Sequence, residues 1–569
     1  GEYTIIPGLK AKINLGSDYT NSRRDVYNST ATKAGFANGG IGSVFNGTRS
    51  NYLIEATIDY AKQIADHRIG FLGGYTYQYF LNNNFNAGNV GFPSDLNGTN
   101  SLGAGSTSLA DVGSNKSTNK LQSFLSRINY DYKGKYILTA TIRADGSSRF
   151  GINNKYGYFP SFAGAWQIGS EPFIQNIQQI SSLKLRAGYG LTGNQDIGNL
   201  NSVATFNNSG GANLGGTTQI GQAPTRIPNP DLKWESTAQF NVGLDVGLLA
   251  GRISLTVDYF KKNTKDMLLN LPISATTGFT SQLTNIGSIE NKGWEFLLET
   301  KNFAGKFNWT TTFNLATLKN KVADIGPLTQ ILTGSLPFTN QITVIQPGYP
   351  LAGFYGYEVT GVFQSGDDIA KSSQPKAKPG YLIFKDVNSD GKIDPADRTL
   401  IGNPLPELTY GISNSLSYKN FSLDVFLQGV GKVDILNQNL LEALFPLDPL
   451  RNTLAEPLLN RWTANNPGNR WPSNVGYNDY AAQRINSLTV ENASYLRLKN
   501  LTLTYQIPLG NMKAIKSARI FVTGQNLKTF TNYSGYDPEV SVNGDGNVRV
   551  DYNAYPLAKT YLVGVNIGF

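Results

Sequence analysis

The chain ends Lys559-Thr-Tyr-Leu-Val-Gly-Val-Asn-Ile-Gly-Phe569, and this stretch decides how the fold is read. Side chains of an extended strand alternate between two faces. Tyr561, Val563, Val565, Ile567 and Phe569 therefore share one face, while Thr560, Gly564, Asn566 and Gly568 share the other, with Leu562 the one apolar residue on the polar side. A strand of about ten residues that is apolar on one side, polar or small on the other and closed by an aromatic can cross a bilayer as part of a β-barrel. The same pattern also suits the last edge strand of a soluble sandwich. The rest of the chain has to choose between them.

Thirty tyrosines, 29 phenylalanines and 61 glycines, with 16% charged residues, suit many aromatic-rich strands of which half the surface is apolar. No run of eighteen apolar residues occurs, so a membrane would be crossed by strands rather than helices. Cysteine is absent, which removes disulfides and thiolate metal sites. The single histidine, His67, makes histidine-based acid-base chemistry hard to assemble. A net charge of +9 suits anionic cargo, anionic lipid head groups or simply solvated lysines on loops, and no nucleic-acid partner is expected. The chain opens at Gly1 without methionine or leader and reads as a mature or truncated piece.

Period-two patterning predicts about sixteen strands, near 8–20, 49–63, 67–81, 118–133, 134–148, 156–169, 181–193, 232–248, 250–268, 288–303, 304–320, 406–418, 419–431, 495–507, 516–528 and 556–569. In one of them Phe307, Trp309, Thr311, Phe313 and Leu315 oppose Asn308, Thr310, Thr312 and Asn314. The connections alternate in length. Counting back from the C-terminus, 507–518, 418–421, 301–306, 248–251, 169–181, 132–135 and 61–67 are short, whereas 21–48, 82–117, 194–231, 269–287, 321–405 and 432–494 are long and mostly rich in Gly, Asn, Ser and Thr. A barrel with short periplasmic turns and long extracellular loops alternates in this way, and a soluble sandwich has no reason to. The expected fold is thus all-β, an antiparallel transmembrane β-barrel over 1–569 whose C-terminus lies at the periplasmic side of the outer membrane of a Gram-negative bacterium.

Ordered motifs add a resemblance. Ser123 to Pro160 contains S-F-L-S-R-I-N-Y-D-Y-K-G-K-Y and R-A-D-G-S-S-R-F-G, and L-K-L-R-A-G-Y-G-L-T-G-N-Q follows at Leu183 to Gln195. N-P-D-L-K-W-E-S stands at Asn229 to Ser236, N-K-G-W-E-F at Asn291 to Phe296 and I-G-N-P-L-P-E-L-T-Y-G at Ile401 to Gly411. S-Y-L-R-L-K-N-L-T-L-T-Y occupies Ser494 to Tyr505, and Y-S-G-Y-D-P-E occupies Tyr533 to Glu539. Together they resemble the C-terminal barrel of the SusC/RagA family of TonB-linked outer-membrane transporters. The resemblance implies active import of an oligosaccharide or peptide, a SusD-like lipoprotein lid and the TonB-ExbB-ExbD motor. It also implies about twenty-two strands closed round a plug. The chain departs from this pattern, with about sixteen strands, no plug domain and no TonB box, and the missing part is expected upstream.

Asp386 to Asp397 follows the spacing of an EF-hand loop, with Asp386, Asn388, Asp390, Asp394 and Asp397 as oxygen donors, Gly391 at the turn and the Lys392 carbonyl as a further ligand. Calcium is expected rather than magnesium, although Asp397 replaces the usual bidentate glutamate and its shorter reach favours Mg²⁺; a metal-free Asx-rich turn is the alternative. Within 432–494, Leu436 to Leu459 has helix-like apolar spacing, and Trp462 and Trp471, each preceded by arginine, are candidate partner contacts or else pack on their own rim. The competing functions are a passive porin or adhesin barrel and a barrel enzyme. The enzyme is disfavoured because His67 is expected at a short turn.

Overall fold

The computed structural model describes residues 1–336, 339–444, 452–473, 485–510, 514–541 and 548–569. It comprises two units: 1–165 with 188–238 and 265–286, and 166–187 with 239–264 and 287–569.

In the first unit Glu2–Ile6, Leu9–Asn28, Ile41–Ile64, His67–Val90, Asp111–Tyr132 and Tyr136–Ser147 pair antiparallel, each with the next. Their register lines up the two faces. Ile13 stands opposite Ala56, then Tyr75, Phe124 and Ala144, while the adjacent row runs Asn14, Glu55, Thr76, Ser123 and Asp145. Ile13, Phe124 and Ile128 are each about half exposed. Because a slip of one residue would exchange the faces, the unbroken rows fix the register.

The second unit repeats the plan. Ser288–Phe303, Phe307–Thr317, Leu408–Tyr418, Phe421–Gly431, Tyr495–Gln506, Ser517–Thr531 and Thr560–Gly568 form one antiparallel meander. Trp309, Leu416, Leu423, Leu503, Val522 and Val563 make an apolar row across six strands. Next to it run Thr310, Ser415, Asp424, Thr502 and Thr523, and this polar row ends on Leu562, the apolar exception in the C-terminal pattern. Such cross-strand rows are the unit of sheet stability, and here they leave large apolar side chains exposed. Tyr561, Val563 and Val565 are 74%, 73% and 61% exposed.

All sixteen expected strands are present, and Glu2–Ile6 is an additional one. Two expected loops are instead ladder at both ends. Leu9–Asn28 pairs with Ile41–Ile64 through Asn28 and Ile41, and His67–Val90 pairs with Asp111–Tyr132 through Gly88 and Asp111. The segments 21–48 and 82–117 are thereby reduced to connections of 29–40 and 91–110. Their Asn, Ser and Thr residues need no apolar face beyond the bilayer, so the period-two signal fades while backbone pairing continues. At about 3.3 Å per residue these strands, up to 24 residues long, are roughly 80 Å long, far more than the ~9–11 residues that a membrane needs.

The short connections are tight. Ile64 pairs with His67, Tyr132 with Tyr136 and Tyr418 with Phe421. Lys133 and Gly134 take φ of 57° and 66° to reverse the chain, and Lys419 takes 52°.

Candidate functional site at the long-connection end

In the second unit the three longest connections fold on one another. Leu336, Ile342, Phe354, Tyr357, Leu382 and Phe384 from 325–407 share a buried cluster with Leu436, Leu440, Leu441, Trp462, Trp471 and Ile485 from 432–494 and with Val550 from 532–559. A small sheet ties two of them. Asp434–Asn437 pairs antiparallel with Val490–Asn492 and parallel with Val550–Asp551. The apolar spacing expected to give one helix over Leu436 to Leu459 gives Gln438–Leu444 and Ala455–Asn460, with 445–451 outside the described residues.

Trp462 and Trp471 belong to this cluster, at 9% and 3% exposure. Trp462 Nε1 donates to Gln364 Oε1 at 2.9 Å, and the Arg470 guanidinium lies 4.5 Å from the Trp471 ring centre. Both rings are thus engaged in the loop core, in keeping with the rim packing given as the alternative to a partner contact, and the buried indole N–H of Trp462 finds its acceptor there. Among the described residues of this segment the large apolar side chains left exposed are Leu454, Leu458 and Leu459.

The acidic loop closes on itself. Asp386 Oδ2 accepts from Gly391 N at 2.8 Å and from Ser373 Oγ at 2.9 Å, and Asn388 Oδ1 accepts from Asp390 N at 3.0 Å. Asp397, fully buried, takes Val387 N and Asp394 N at 2.8 Å, one on each oxygen, while Asp394 caps the turn through Ala396 N at 2.8 Å. Burial works against ionisation of Asp386, yet the Gly391, Ser389 and Asp390 amides and the Ser373 hydroxyl hold its carboxyl below the usual value. Asp386, Asn388 and Asp390 keep lone pairs and exposure suited to a hard cation. Asp397 accepts one backbone amide on each oxygen, which holds its short side chain in the turn and leaves each oxygen a further lone pair. Among the described residues no three acidic side chains are gathered as a ready cage.

A buried charge cluster, not anticipated from the sequence, joins two of the motifs. Arg497 of S-Y-L-R-L-K is 1% exposed; its Nη2 donates to Asp537 Oδ1 at 2.6 Å, its Nη1 to Glu539 Oε2, and its Nε to Thr529 Oγ1 at 2.8 Å. Both carboxylates come from Y-S-G-Y-D-P-E. In the same connection Tyr533 Oη donates to Asp551 Oδ2 at 2.6 Å, and burial with this carboxylate beside it pushes the phenol's pKa up.

In the first unit the motifs again meet as packing. Leu232 and Trp234 of N-P-D-L-K-W are buried against Phe150, Phe159 and Ile197. Trp234 Nε1 donates to the Lys155 carbonyl at 3.1 Å, and Arg149 reaches Asn199 Oδ1 and the Gln195 carbonyl at 3.1 Å. Beside this core opens a polar recess of about 450 Å³ whose lining includes Asp196, Asn201, Arg226, Asn270 and Gln282. His67 lies at a short turn, as expected, with Nδ1 2.8 Å from Tyr130 Oη and its ring 4.8 Å from that of Tyr132, an aromatic stack and not a triad.

The fold has known counterparts. The family model "TonB dependent receptor-like, beta-barrel" matches residues 3–527. TonB-dependent receptor P3 of Formosa agariphila is 35% identical over the whole chain and 57% of its own length, and TonB-dependent receptor SusC of Bacteroides thetaiotaomicron is 29% identical over the whole chain and 55% of its own. A structure described as the RagAB peptide transporter superposes with a TM-score of 0.85 at 28% identity, covering all of this chain and 61% of that one. The chain thus spans a little over half the length of these relatives. It belongs to the TonB-dependent receptor family, in its SusC/RagA branch, and carries that family's outer-membrane β-barrel.

Proposed function

We propose that this chain is the barrel of an energised importer that moves an oligosaccharide or a peptide across the outer membrane without altering it. The observation that carries this reading is the folding of 325–407, 432–494 and 532–559 into one core at the long-connection end, which builds a shaped mouth where a passive pore needs only loose loops. Relatives named SusC and RagAB peptide transporter support it. In this reading the C-terminus and short turns face the periplasm and the long connections face outward. A SusD-like lipoprotein closes the mouth, and the TonB-ExbB-ExbD motor acts on a plug supplied outside the stretch described. No catalysis is invoked: His67, the one histidine, is engaged with tyrosines at the short-turn end.

The test is uptake of fluorescent oligosaccharides and peptides by cells carrying the full-length protein, with and without a working motor. Import of one class that stops when the motor is disabled is the expected result. Import that continues unchanged would instead establish a passive porin.

Calcium on the acidic loop is part of the same proposal. Asp386, Asn388, Asp390 and the Lys392 carbonyl would hold it, and its charge would stiffen 380–400. Asp397 orients the loop from behind.

A further inference from the structure

In the second unit a pocket of about 510 Å³ is lined by Tyr259, Trp294 and Leu408 and rimmed by Lys292, Lys319 and Lys432. We propose that it seats a phosphate-bearing lipid of the surrounding outer leaflet, with acyl chain against the aromatics and head group on the lysines.

Three observations converge. First, the pocket opens on the apolar face of the wall. Trp294 is two residues from Phe296, which stands opposite Leu315 and through it Tyr410, and Leu318 N is held by the Glu407 carbonyl at 3.0 Å. Tyr259 and Trp294 pack at 5.0 Å and Trp294 remains 48% exposed, as an interfacial ring does. Second, the height is right. Trp294 and Phe303 lie at positions seven and sixteen of the strand Ser288–Phe303, and Phe303 packs against Phe307 at the short turn. At about 3.3 Å per residue and a tilt of roughly 40° the two rings are separated by about 23 Å, close to the ~25 Å apolar band of such barrels. The pocket therefore lies at the outer edge of the hydrocarbon.

Third, the charge is unbalanced. Lys292 stands directly opposite Lys319 in the ladder, a pairing that repels. Glu290 at 2.9 Å answers Lys292 but is shared with Lys261 at 2.8 Å, and Glu407 lies 3.9 Å from Lys432. Among the described residues Lys319 forms no ion pair, and Glu407, which lines the same pocket, is turned to Lys432. An anion above the ladder relieves the repulsion, and at this height the anion at hand is a lipid phosphate.

The full-length protein is placed in nanodiscs of phosphatidylcholine containing brominated phosphatidylglycerol or, separately, brominated phosphatidylcholine. Quenching of Trp294 is taken as the difference between the parent and Trp294→Phe. The parent is expected to be quenched preferentially by the anionic lipid, with the preference falling about fivefold for each lysine removed in Lys292→Gln and Lys319→Gln and surviving in Lys292→Arg with Lys319→Arg. Heat-modified gel mobility identifies folded variants, and Lys432→Gln supplies the same test if the paired change fails to fold. Inorganic phosphate at millimolar concentration should leave the preference intact. Equal quenching by the two lipids overturns the proposal, and so does displacement by inorganic phosphate, which would mean a site for free anions.

Discussion

Arg497 concentrates the residue-scale energetics of the long-connection end. A guanidinium at 1% exposure costs several kcal/mol to desolvate, and here Asp537, Glu539 and Thr529 offset that cost through charged and neutral hydrogen bonds. Arg497→Ala is therefore expected to cost about 3–5 kcal/mol, because it strands two carboxylates. Adding Asp537→Asn and Glu539→Gln should recover much of the loss, which hydrogen exchange over 533–541 would record; no recovery would mean that the network is not coupled. On the C-terminal strand, Val565→Arg should cost about 2–4 kcal/mol in a refolding titration and Asn566→Arg far less, since only the first is in line with Ile520 on the apolar row. Equal damage would mean a strand buried on both faces. The two faces were legible in the sequence because alternation is local. Arg497 was not, because its partners lie roughly thirty to forty residues away and an arginine between two leucines in a strand reads like any lumen residue.

Elements were legible to the extent that lipid disciplines them. Where a strand crosses the bilayer, one face must be apolar and the period shows; beyond it, Asn82 to Asn84 and Asn115 to Ser117 pair as a ladder with no pattern to betray them. The loops were legible as loops but their cores were not, since Trp462 looks the same in sequence whether it faces a partner or Gln364. For the acidic loop a pH dependence follows. Asp386 is depressed in the folded state, so its contribution is complete above its unfolded pKa of about 3.9 and is lost as the pH falls through the lower folded value. Proteolysis of 380–400 should be unchanged from pH 7 to 5 and rise below about pH 4, with the dependence flattened in Asp386→Asn. At pH 7 a calcium chelator should also raise it. Indifference to the chelator would leave the amide hydrogen bonds as the whole of the closure. Single cysteines placed in a chain that has none test the orientation: an impermeant maleimide on intact cells should label position 366 and spare Gly134.

At the scale of the whole molecule, the sequence conveyed the family through ordered motifs, and the structure explains why those motifs are ordered: R-F-G, N-P-D-L-K-W, S-Y-L-R-L-K and Y-D-P-E are pegs that lock connections to strand ends. Substrate was illegible because lumen and loop residues that would select a cargo have no motif of their own. The same division predicts where a lid binds. Deleting 436–460 would remove Leu436, Leu440 and Leu441 from the shared core and unfold the platform, so loss of a partner would be uninformative. Leu458 and Leu459, 45% and 76% exposed on the short helix Ala455–Asn460, are not among the buried residues of that core and are the apolar surface expected to meet a lid. Leu458→Asp with Leu459→Asp is expected to keep the barrel folded and assembled in the membrane while reducing the copurifying lipoprotein at least tenfold, since an apolar anchor lost from an interface costs about 2 kcal/mol or more. Unchanged stoichiometry would move the lid contact elsewhere on the rim, and import by a protein purified with no lipoprotein at all would replace the lid with a self-contained transporter.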